Sequence, residues 1–501
     1  EKLKTTAKHT LIFGVGGIVN RALGFLLLPL YLTEIRTREY GVLNLMMIVL
    51  QMMNLVLALG LGNALMRSYY DFEESERPLI TATAFFFLFT LCLVVLTPMF
   101  FLAPQWAAVV LQDRSGRFIP HFQLLFVIAF FQILKLIPDA VLRIKMESIR
   151  YTSTVTVAFL LQLLTIIYFV KVEQIGIYGI LIGTLVGSVG ETLGLFYWMR
   201  YDLKFGFHWA ELKRMLGFGS PLIFGRLSAM SLQSIDRFLL QIFAASPNAG
   251  QREIGLYGMA NNVSGAITML VTTPFGAVWP SMQVSVMKDP DAPEYYARIL
   301  TYVLYIASVL ALGAACVTGD IFRYFGSYVE SASVVPMLAM AAVLDAASQV
   351  LSVGINIKRK TFVNPMIYIS AALINILLNL YFIPHYGMRG AAFTTVVGFV
   401  VLCFLRGYVS HAYLPVPYEW KRLIHLFLIS IGLYWASTFI VTGRTAVDFI
   451  LHTLVALSLP LCLWLTGFHD EKEERKLREY WARFRRQPEI VDSERSSEVA
   501  K

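Results

Sequence analysis

Apolar stretches of about twenty residues follow one another along almost the whole chain. An α-helix of that length spans the roughly 30 Å hydrocarbon layer of a bilayer. Only 15% of the residues are charged, whereas soluble domains have about 25%. The sequence therefore predicts an all-α polytopic membrane protein with about fourteen transmembrane helices. The predicted spans are 10–33, 41–66, 79–102, 118–142, 151–170, 176–199, 217–243, 254–283, 295–318, 331–356, 361–383, 388–411, 421–441 and 446–467.

The Lys and Arg residues predict the orientation of these spans. Most of the 42 basic residues lie in loops and tails on the same side of the membrane as the N-terminus. Loops rich in Lys and Arg stay in the cytoplasm. We therefore expect both termini in the cytoplasm. The net charge of +9 follows from this topology and does not indicate nucleic-acid binding.

The chain repeats part of its own sequence. Arg21 follows Phe13-Gly14, and Arg226 follows Phe218-Gly219 at the same spacing, with an offset of 205 residues. Two further motifs recur in the same order. They are 38–41 (REYG) with 252–255 (REIG), and 176–179 (GIYG) with 387–390 (GMRG).

A repeat unit of six spans enters the membrane in the same direction twice, which predicts two parallel lobes around an axis along the membrane normal. The predicted domains are an N-lobe of spans 1 to 6 (1–205), a C-lobe of spans 7 to 12 (206–415), an appended pair of spans 13 and 14 (416–468), and a charged cytoplasmic tail (469–501).

Arginines in the middle of apolar spans indicate a binding site. A charge at the centre of a membrane helix costs roughly 2.5–3.5 kcal/mol on insertion scales. Arg21 and Arg226 occupy equivalent places in the two repeats and would face each other across the axis. Because facing cations repel unless an anion or water separates them, we expect them to bind an anionic substrate.

Span seven carries a second arginine. Arg237 lies three turns beyond Arg226, with Gln233 on the same helical face. We therefore include Gln233 and Arg237 among the substrate-binding residues. Asp236 is adjacent, and a structural ion pair between Asp236 and Arg237 stays open as the alternative.

Other charges inside the spans point to ion pairs or coupling. Lys135, Asp139 and Arg143 follow one another at four-residue spacing and would neutralise each other on one helix face. Glu191 and Asp345 are lone carboxylates within spans. Each is a candidate for proton or cation uptake or for a structural role.

Amide side chains lie on spans two and eight. Such amides either line a cavity and bind a polar ligand, or they form hydrogen bonds between membrane helices. Both interpretations stay open. The candidate residues for substrate binding are Asn44, Gln51, Asn261 and Asn262.

The sequence has no motif for enzymatic chemistry. It lacks GxxxxGK[ST] and HExxH, and its four cysteines lie apart from one another inside spans. We therefore expect no cofactor, no metal and no enzyme activity. A membrane glycan ligase or polymerase is the less favoured alternative, because no large outer loop carries paired carboxylates.

Several segments resemble the Wzx-type polysaccharide flippases of the multidrug/oligosaccharidyl-lipid/polysaccharide (MOP) exporter superfamily. The resemblance covers about residues 5–465. It rests on 28–32 (LPLYL), 39–41 (EYG), 59–67 (LGLGNALMR), 235–240 (IDRFLL) and 254–257 (IGLY).

The resemblance implies a V of two lobes in the bacterial cytoplasmic (inner) membrane, with spans 1, 2, 7 and 8 around a cationic cavity. It implies a substrate, undecaprenyl-diphosphate-linked oligosaccharide, moved to the outer leaflet by alternating access for O-antigen, capsule or exopolysaccharide biosynthesis. A lipid II-type flippase is an open alternative, and the arginines disfavour an exporter of cationic drugs. Coupling to H⁺ or Na⁺, and polysaccharide polymerase or assembly partners, also stay open.

Overall fold

The computed structural model describes residues 27–360, 362–468 and Glu473. The first half of this chain folds into helices of very different length. They are α1 (Leu27–Glu34), α2 (Thr37–Leu57), α3 (Leu61–Ser68), α4 (Arg77–Phe101), α5 (Ala103–Val110), α6 (Ile119–Leu134), α7 (Leu136–Ile144), α8 (Ser148–Ile167), α9 (Ile177–Met199) and α10 (Trp209–Phe243).

The second half is also helical. Its helices are α11 (Pro247–Ile267), α12 (Thr273–Val286), α13 (Ala292–Phe325), α14 (Val335–Leu351), α15 (Val353–Ile357), α16 (Val363–Tyr413), α17 (Trp420–Ser437), α18 (Thr445–Leu457) and α19 (Leu459–Leu465). Within the described residues, nine helical segments are long and apolar enough to cross a membrane. The predicted all-α polytopic fold is confirmed.

Most predicted spans coincide with these helices, but several are interrupted. The first span lies largely outside the described residues. The fourth breaks at Lys135, between α6 and α7. The eighth continues from α11 through a π-helical turn, Thr268–Thr272, into α12. Spans eleven and twelve form one long α16 that is kinked at Gly387.

Two repeat-equivalent glycines share an unusual backbone conformation. Gly176 has φ 58° and ψ −134°, and Gly387 has φ 53° and ψ −135°. Residues with a Cβ rarely adopt this region. A Cβ on Gly176 would lie 3.4 Å from Glu39 Oε2, and one on Gly387 would lie 2.7 Å from Glu253 Oε2. The recurring REYG/REIG and GIYG/GMRG motifs therefore meet each other in the same way in both halves.

Helices from the two halves cross closely at two places. The first joins the beginning of α2 to α11, where Gly41 and Gly255 bring the two backbones together. The second follows the end of α2, where a Cβ on Gly60 would lie 2.6 Å from the carbonyl oxygen of Gly219 in α10. We call these the α2–α11 crossing and the α2–α10 crossing. By the predicted orientation, the first is extracytoplasmic and the second is cytoplasmic.

The appended helices pack against α13. His452 of α18 contacts Asp320 of α13 through Nδ1 and the Ser437 carbonyl oxygen of α17 through Nε2, at 2.5 and 3.0 Å. On the opposite side of the membrane, Arg422 of α17 forms a salt bridge of 2.8 Å with Glu473. These polar contacts fix the helix pair to the second half of the chain. The boundaries of the lobes and of the tail stay a prediction.

Candidate functional site

A cavity of about 550 Å³ lies between the two crossings, with α2 along one wall. Helices from both halves contribute to it, chiefly α2, α8 and α9 from the first and α10, α11, α14 and α16 from the second. The lining is rich in amides and hydroxyls. Its polar residues are Tyr31, Tyr40, Asn44, Gln51, Gln162, Thr184, Gln233, Ser234, Arg237, Asn261, Asn262, Ser264, Thr268, Asp345 and Thr395.

Helical spacing explains why α2 presents its polar residues together. Asn44 and Gln51 are seven residues apart, so they lie two turns from each other on one face. Gly258 of α11 lies opposite Asn44, where a Cβ would lie 2.7 Å from the Asn44 Cγ. The glycine therefore leaves room for the Asn44 amide at the cavity wall.

Six of the predicted substrate-binding residues line this cavity. They are Asn44, Gln51, Gln233, Arg237, Asn261 and Asn262. Asp345, predicted as a coupling or structural carboxylate, lines it as well. Arg226 is exposed on α10 and is not part of the lining. Arg21 lies outside the described residues.

The other predicted charges form pairs away from the cavity. Lys135 Nζ lies 2.6 Å from Glu191 Oε2, which joins α9 to the break between α6 and α7. Arg143 Nε donates to Asp139 Oδ1 at 3.0 Å, one helical turn away. Lys135 therefore has its partner on another helix, and the remaining two residues pair within α7.

Arg237 is buried, with 5% of its surface exposed. Its Nη1 donates to Ser234 Oγ at 3.3 Å, and its guanidinium lies 5.5 Å from the centre of the Tyr257 ring. Its Nε has no hydrogen-bond partner within the described chain. The guanidinium thus lines the cavity, and within the described residues it has no carboxylate partner.

The Asp236 carboxylate contacts other groups than the Arg237 guanidinium does. The Tyr257 hydroxyl donates to Asp236 Oδ2, and the Thr395 hydroxyl lies 3.4 Å from the same oxygen. The backbone N–H of Arg237 donates to Oδ1 at 2.9 Å. Among the described ion pairs, none joins the Asp236 carboxylate to the Arg237 guanidinium, so hydroxyl groups and a backbone N–H satisfy this carboxylate.

Tyrosines close the end of the cavity beside the α2–α11 crossing. The Asn262 amide donates to the Tyr40 hydroxyl, and the Tyr31 and Tyr40 rings lie 5.7 Å apart. Tyr328 packs edge-on against Tyr40 and donates to the Ile35 carbonyl oxygen at 2.8 Å. Sequence reasoning placed Tyr40 in a repeat motif but did not identify it as a cavity residue.

Polar side chains join helices at the predicted extracytoplasmic ends of both halves. Arg38 Nε donates to Gln251 Oε1 at 2.9 Å across the α2–α11 crossing.

Burial raises the pKa of the Glu253 carboxyl, which lies just before predicted span 254–283. The backbone N–H of Met388 donates to this carboxyl and opposes the shift. Glu253 therefore caps the part of α16 that begins after Gly387.

Arg406 was missed as an intramembrane charge. It lies in predicted span 388–411, close to the predicted cytoplasmic end, where arginines commonly flank a membrane helix. In α16 it is buried, with 6% of its surface exposed, and its guanidinium lies 4.5 Å from the centre of the Tyr368 ring. Its position inside a predicted span was the sequence feature that could have identified it as an intramembrane charge.

An all-helical membrane domain with a polar cavity between its two halves has the architecture of a multi-pass transporter. Known proteins support this assignment. The chain belongs to the polysaccharide biosynthesis protein family, whose profile matches residues 35–325, more than half of the chain.

A curated relative and two solved structures are similar to this chain. "Probable flippase AglR" from Haloferax volcanii is 26% identical over 233 residues, which cover 44% of this chain and 43% of that protein. The match thus spans less than half of the relative. The lipid II flippase MurJ, in an inward closed conformation, has a TM-score of 0.74 at 14% identity and covers 92% of this chain and all of its own.

An inward-facing multidrug resistance MATE family transporter of the MOP superfamily has a TM-score of 0.64 at 16% identity, over 81% of this chain and 94% of its own. At these identities the solved structures establish the fold. This is the fold that the resemblance to the MOP exporters predicted.

Proposed function

We propose that this protein is a flippase that moves an undecaprenyl-diphosphate-linked oligosaccharide from the cytoplasmic to the outer leaflet by alternating access. The proposal places it in the bacterial cytoplasmic membrane with both termini inside. The observation that carries it is the composition of the cavity, in which amides and hydroxyls surround one buried arginine.

This chemistry matches the two polar parts of such a substrate. Guanidinium donors suit phosphate oxygens, and Arg237 carries its guanidinium at the wall of the cavity. Amides both donate and accept hydrogen bonds, as sugar hydroxyls do. The amides of Asn44, Gln51 and Asn261 line the same cavity. The lipid tail would remain in the bilayer, outside the cavity.

The two crossings supply the elements for alternating access. Each brings backbone from one half against backbone from the other, with no side chain between. Opening the α2–α10 crossing would admit substrate from the cytoplasm, and opening the α2–α11 crossing would release it outside. The fold shared with transporters of the MOP superfamily supports this mechanism.

Two other substrates fit specific observations. The shared fold with a lipid II flippase makes lipid II a candidate, since it also joins a saccharide to a lipid diphosphate. The Asp345 carboxylate in the cavity wall makes an exporter of cationic drugs the second candidate function. The substrate would leave chemically unchanged in all three cases.

Transport in vesicles tests the proposal. The purified protein is reconstituted with a fluorescent undecaprenyl-diphosphate oligosaccharide, and the fraction reached by a membrane-impermeant quencher is followed. Faster exchange than in protein-free vesicles, competed by unlabelled substrate but not by organic cations, supports it. Imposed H⁺ or Na⁺ gradients in the same vesicles test coupling. Exchange at the protein-free rate would contradict the proposed function.

A further inference from the structure

Asp345 stands out among the lining residues because its charge has no direct partner. It is buried, with 9% of its surface exposed, and it lines the cavity. Within the described chain, no group donates a hydrogen bond to its carboxylate and no cation forms a salt bridge with it. An ionised carboxylate can accept about four hydrogen bonds. Its acceptor capacity is therefore open toward the cavity.

A cation lies behind the cavity wall. Arg406 of α16 interacts electrostatically with Asp345. It is held in place by Ser348, because Arg406 Nη1 donates to Ser348 Oγ at 2.8 Å. Ser348 Oγ donates in turn to the Asp345 carbonyl oxygen at 2.7 Å. The arginine thus fixes the helical turn that carries Asp345 without occupying its carboxylate.

A second contact fixes the same helix pair one turn earlier. Cys403 Sγ lies 3.1 Å from the carbonyl oxygen of Leu344, the residue before Asp345. Together with the Arg406–Ser348 contact, it holds α16 against α14. Asp345 therefore lies on a helical turn of α14 that α16 holds in place. These contacts limit the movement of that turn when a ligand binds.

The charges of this pair determine which ligand it favours. A cation near Asp345 would be attracted by the carboxylate and repelled by Arg406, so Arg406 reduces its net gain. A neutral group with hydrogen-bond donors gains the full interaction and meets no repulsion. Neighbouring hydroxyls on a sugar ring are such donors. Phe399 of the same wall offers an apolar surface beside it.

We propose that Asp345 is a specificity-determining residue that accepts hydrogen bonds from sugar hydroxyls of the substrate, and that Arg406 is the positioning residue that holds its turn. This inference rests on the proposed function, and it divides the cavity into two subsites. Arg237 binds the diphosphate, and Asp345 binds the saccharide.

Binding of two lipids to the full chain in nanodiscs tests the inference. One is undecaprenyl diphosphate, and the other is the same lipid carrying a short neutral oligosaccharide. Wild type should bind the second lipid more tightly. Asp345→Asn should lower this preference about tenfold, since a neutral amide oxygen forms a weaker hydrogen bond with a sugar hydroxyl than a carboxylate does. Its affinity for the bare lipid should stay unchanged.

Further variants separate the roles. Arg406→Gln should lower the same preference, and Arg406→Lys should restore part of it, which a merely structural role would not produce. Asp139→Asn is the matched control, because Asp139 pairs with Arg143 away from the cavity, and its preference should equal that of wild type. Asp345→Ser repeats the test should Asp345→Asn fail to fold, as judged by thermal unfolding.

Each contrary result has its own meaning. If wild type binds neither lipid, the proposed function fails and this inference fails with it. If wild type binds both and Asp345→Asn keeps the preference, only the inference fails. A loss of Na⁺- or pH-dependence in Asp345→Asn, with the preference intact, would assign Asp345 to cation binding and would overturn the saccharide role.

Discussion

Gly41 and Gly255 occupy reciprocal positions at the α2–α11 crossing. A Cβ on Gly41 would lie 2.9 Å from the backbone nitrogen of Gly255, and a Cβ on Gly255 would lie 3.1 Å from the backbone nitrogen of Gly41. The added atoms would also overlap the carbonyl oxygens of Gln251 and Thr37. Such a reciprocal contact is what a two-fold relation between equivalent surfaces produces.

The first prediction concerns this crossing. Gly41→Ala should force the beginnings of α2 and α11 apart, because rigid backbone would meet the new methyl group, and overpacking of this kind costs roughly 1–3 kcal/mol. Spin labels at Arg36 and Asn248, in a chain without the native cysteines, should report a longer distance. Gly313→Ala is the control, since nothing lies within 4 Å of a Cβ there. An unchanged distance in Gly41→Ala would contradict the reciprocal contact.

The second prediction concerns the α2–α10 crossing. Gly219→Ala should weaken it, because a Cβ on Gly219 would lie 3.0 Å from the Gly60 carbonyl carbon. The cavity should then be more accessible to thiol reagents from the cytoplasmic side, measured with a cysteine placed at Gln233. Gly217→Ala in the same helix is a matched control, because it has open space. Equal labelling rates in the two variants would argue against a gate here.

The third prediction concerns Glu253 and pH. Because burial raises its pKa in the folded protein, its contribution to stability is complete below its unfolded pKa of about 4.3. That contribution is lost as pH rises through the folded pKa. Glu253→Gln keeps an acceptor for the Met388 N–H and cannot ionise. Its melting temperature should therefore exceed that of wild type at pH 7.

Melting temperatures measured at several pH values test the prediction for Glu253. The difference in melting temperature between Glu253→Gln and wild type should disappear at pH values below the normal range of a glutamate side chain. Glu74→Gln serves as a control, because the Glu74 side chain is exposed and pairs with Arg77. A difference that grows on acidification would contradict the raised pKa.

The fourth prediction concerns Arg237. Arg237→Ala should weaken binding of bare undecaprenyl diphosphate by roughly ten- to a hundredfold, the loss expected for charge-assisted hydrogen bonds. Arg237→Lys should recover part of it, since Lys keeps the charge but not the planar fork. Isothermal titration with the protein in nanodiscs measures both. Unchanged affinity together with a large fall in melting temperature would assign Arg237 to structure.

The sequence predicts the membrane fold well because span length and apolar composition are local properties. It also identifies most polar residues of the cavity, since polar side chains in apolar helices have few other roles. It does not predict which helix faces which. Lys135 therefore pairs with Glu191 rather than along its own helix, and Gln162 enters the lining without any motif to mark it.

The repeat motifs are visible in the sequence, but only the structure shows which of them contact each other. The recurrence of Glu39 and Glu253, and of Gly176 and Gly387, is readable in the sequence. That each glutamate meets the glycine of its own half is a long-range contact, which a single sequence does not encode locally. Arg406 was missed for a similar reason, because distance from a span end does not reveal burial.

Transbilayer movement of a lipid-linked saccharide tests the central claim most directly. Vesicles containing wild type, Arg237→Ala or no protein are loaded with fluorescent undecaprenyl-diphosphate oligosaccharide in both leaflets, and an impermeant quencher is added. The account predicts that wild type lets the inner-leaflet pool become quenched rapidly, whereas Arg237→Ala approaches the protein-free rate while remaining folded. Equal, slow quenching in all three samples would contradict the account.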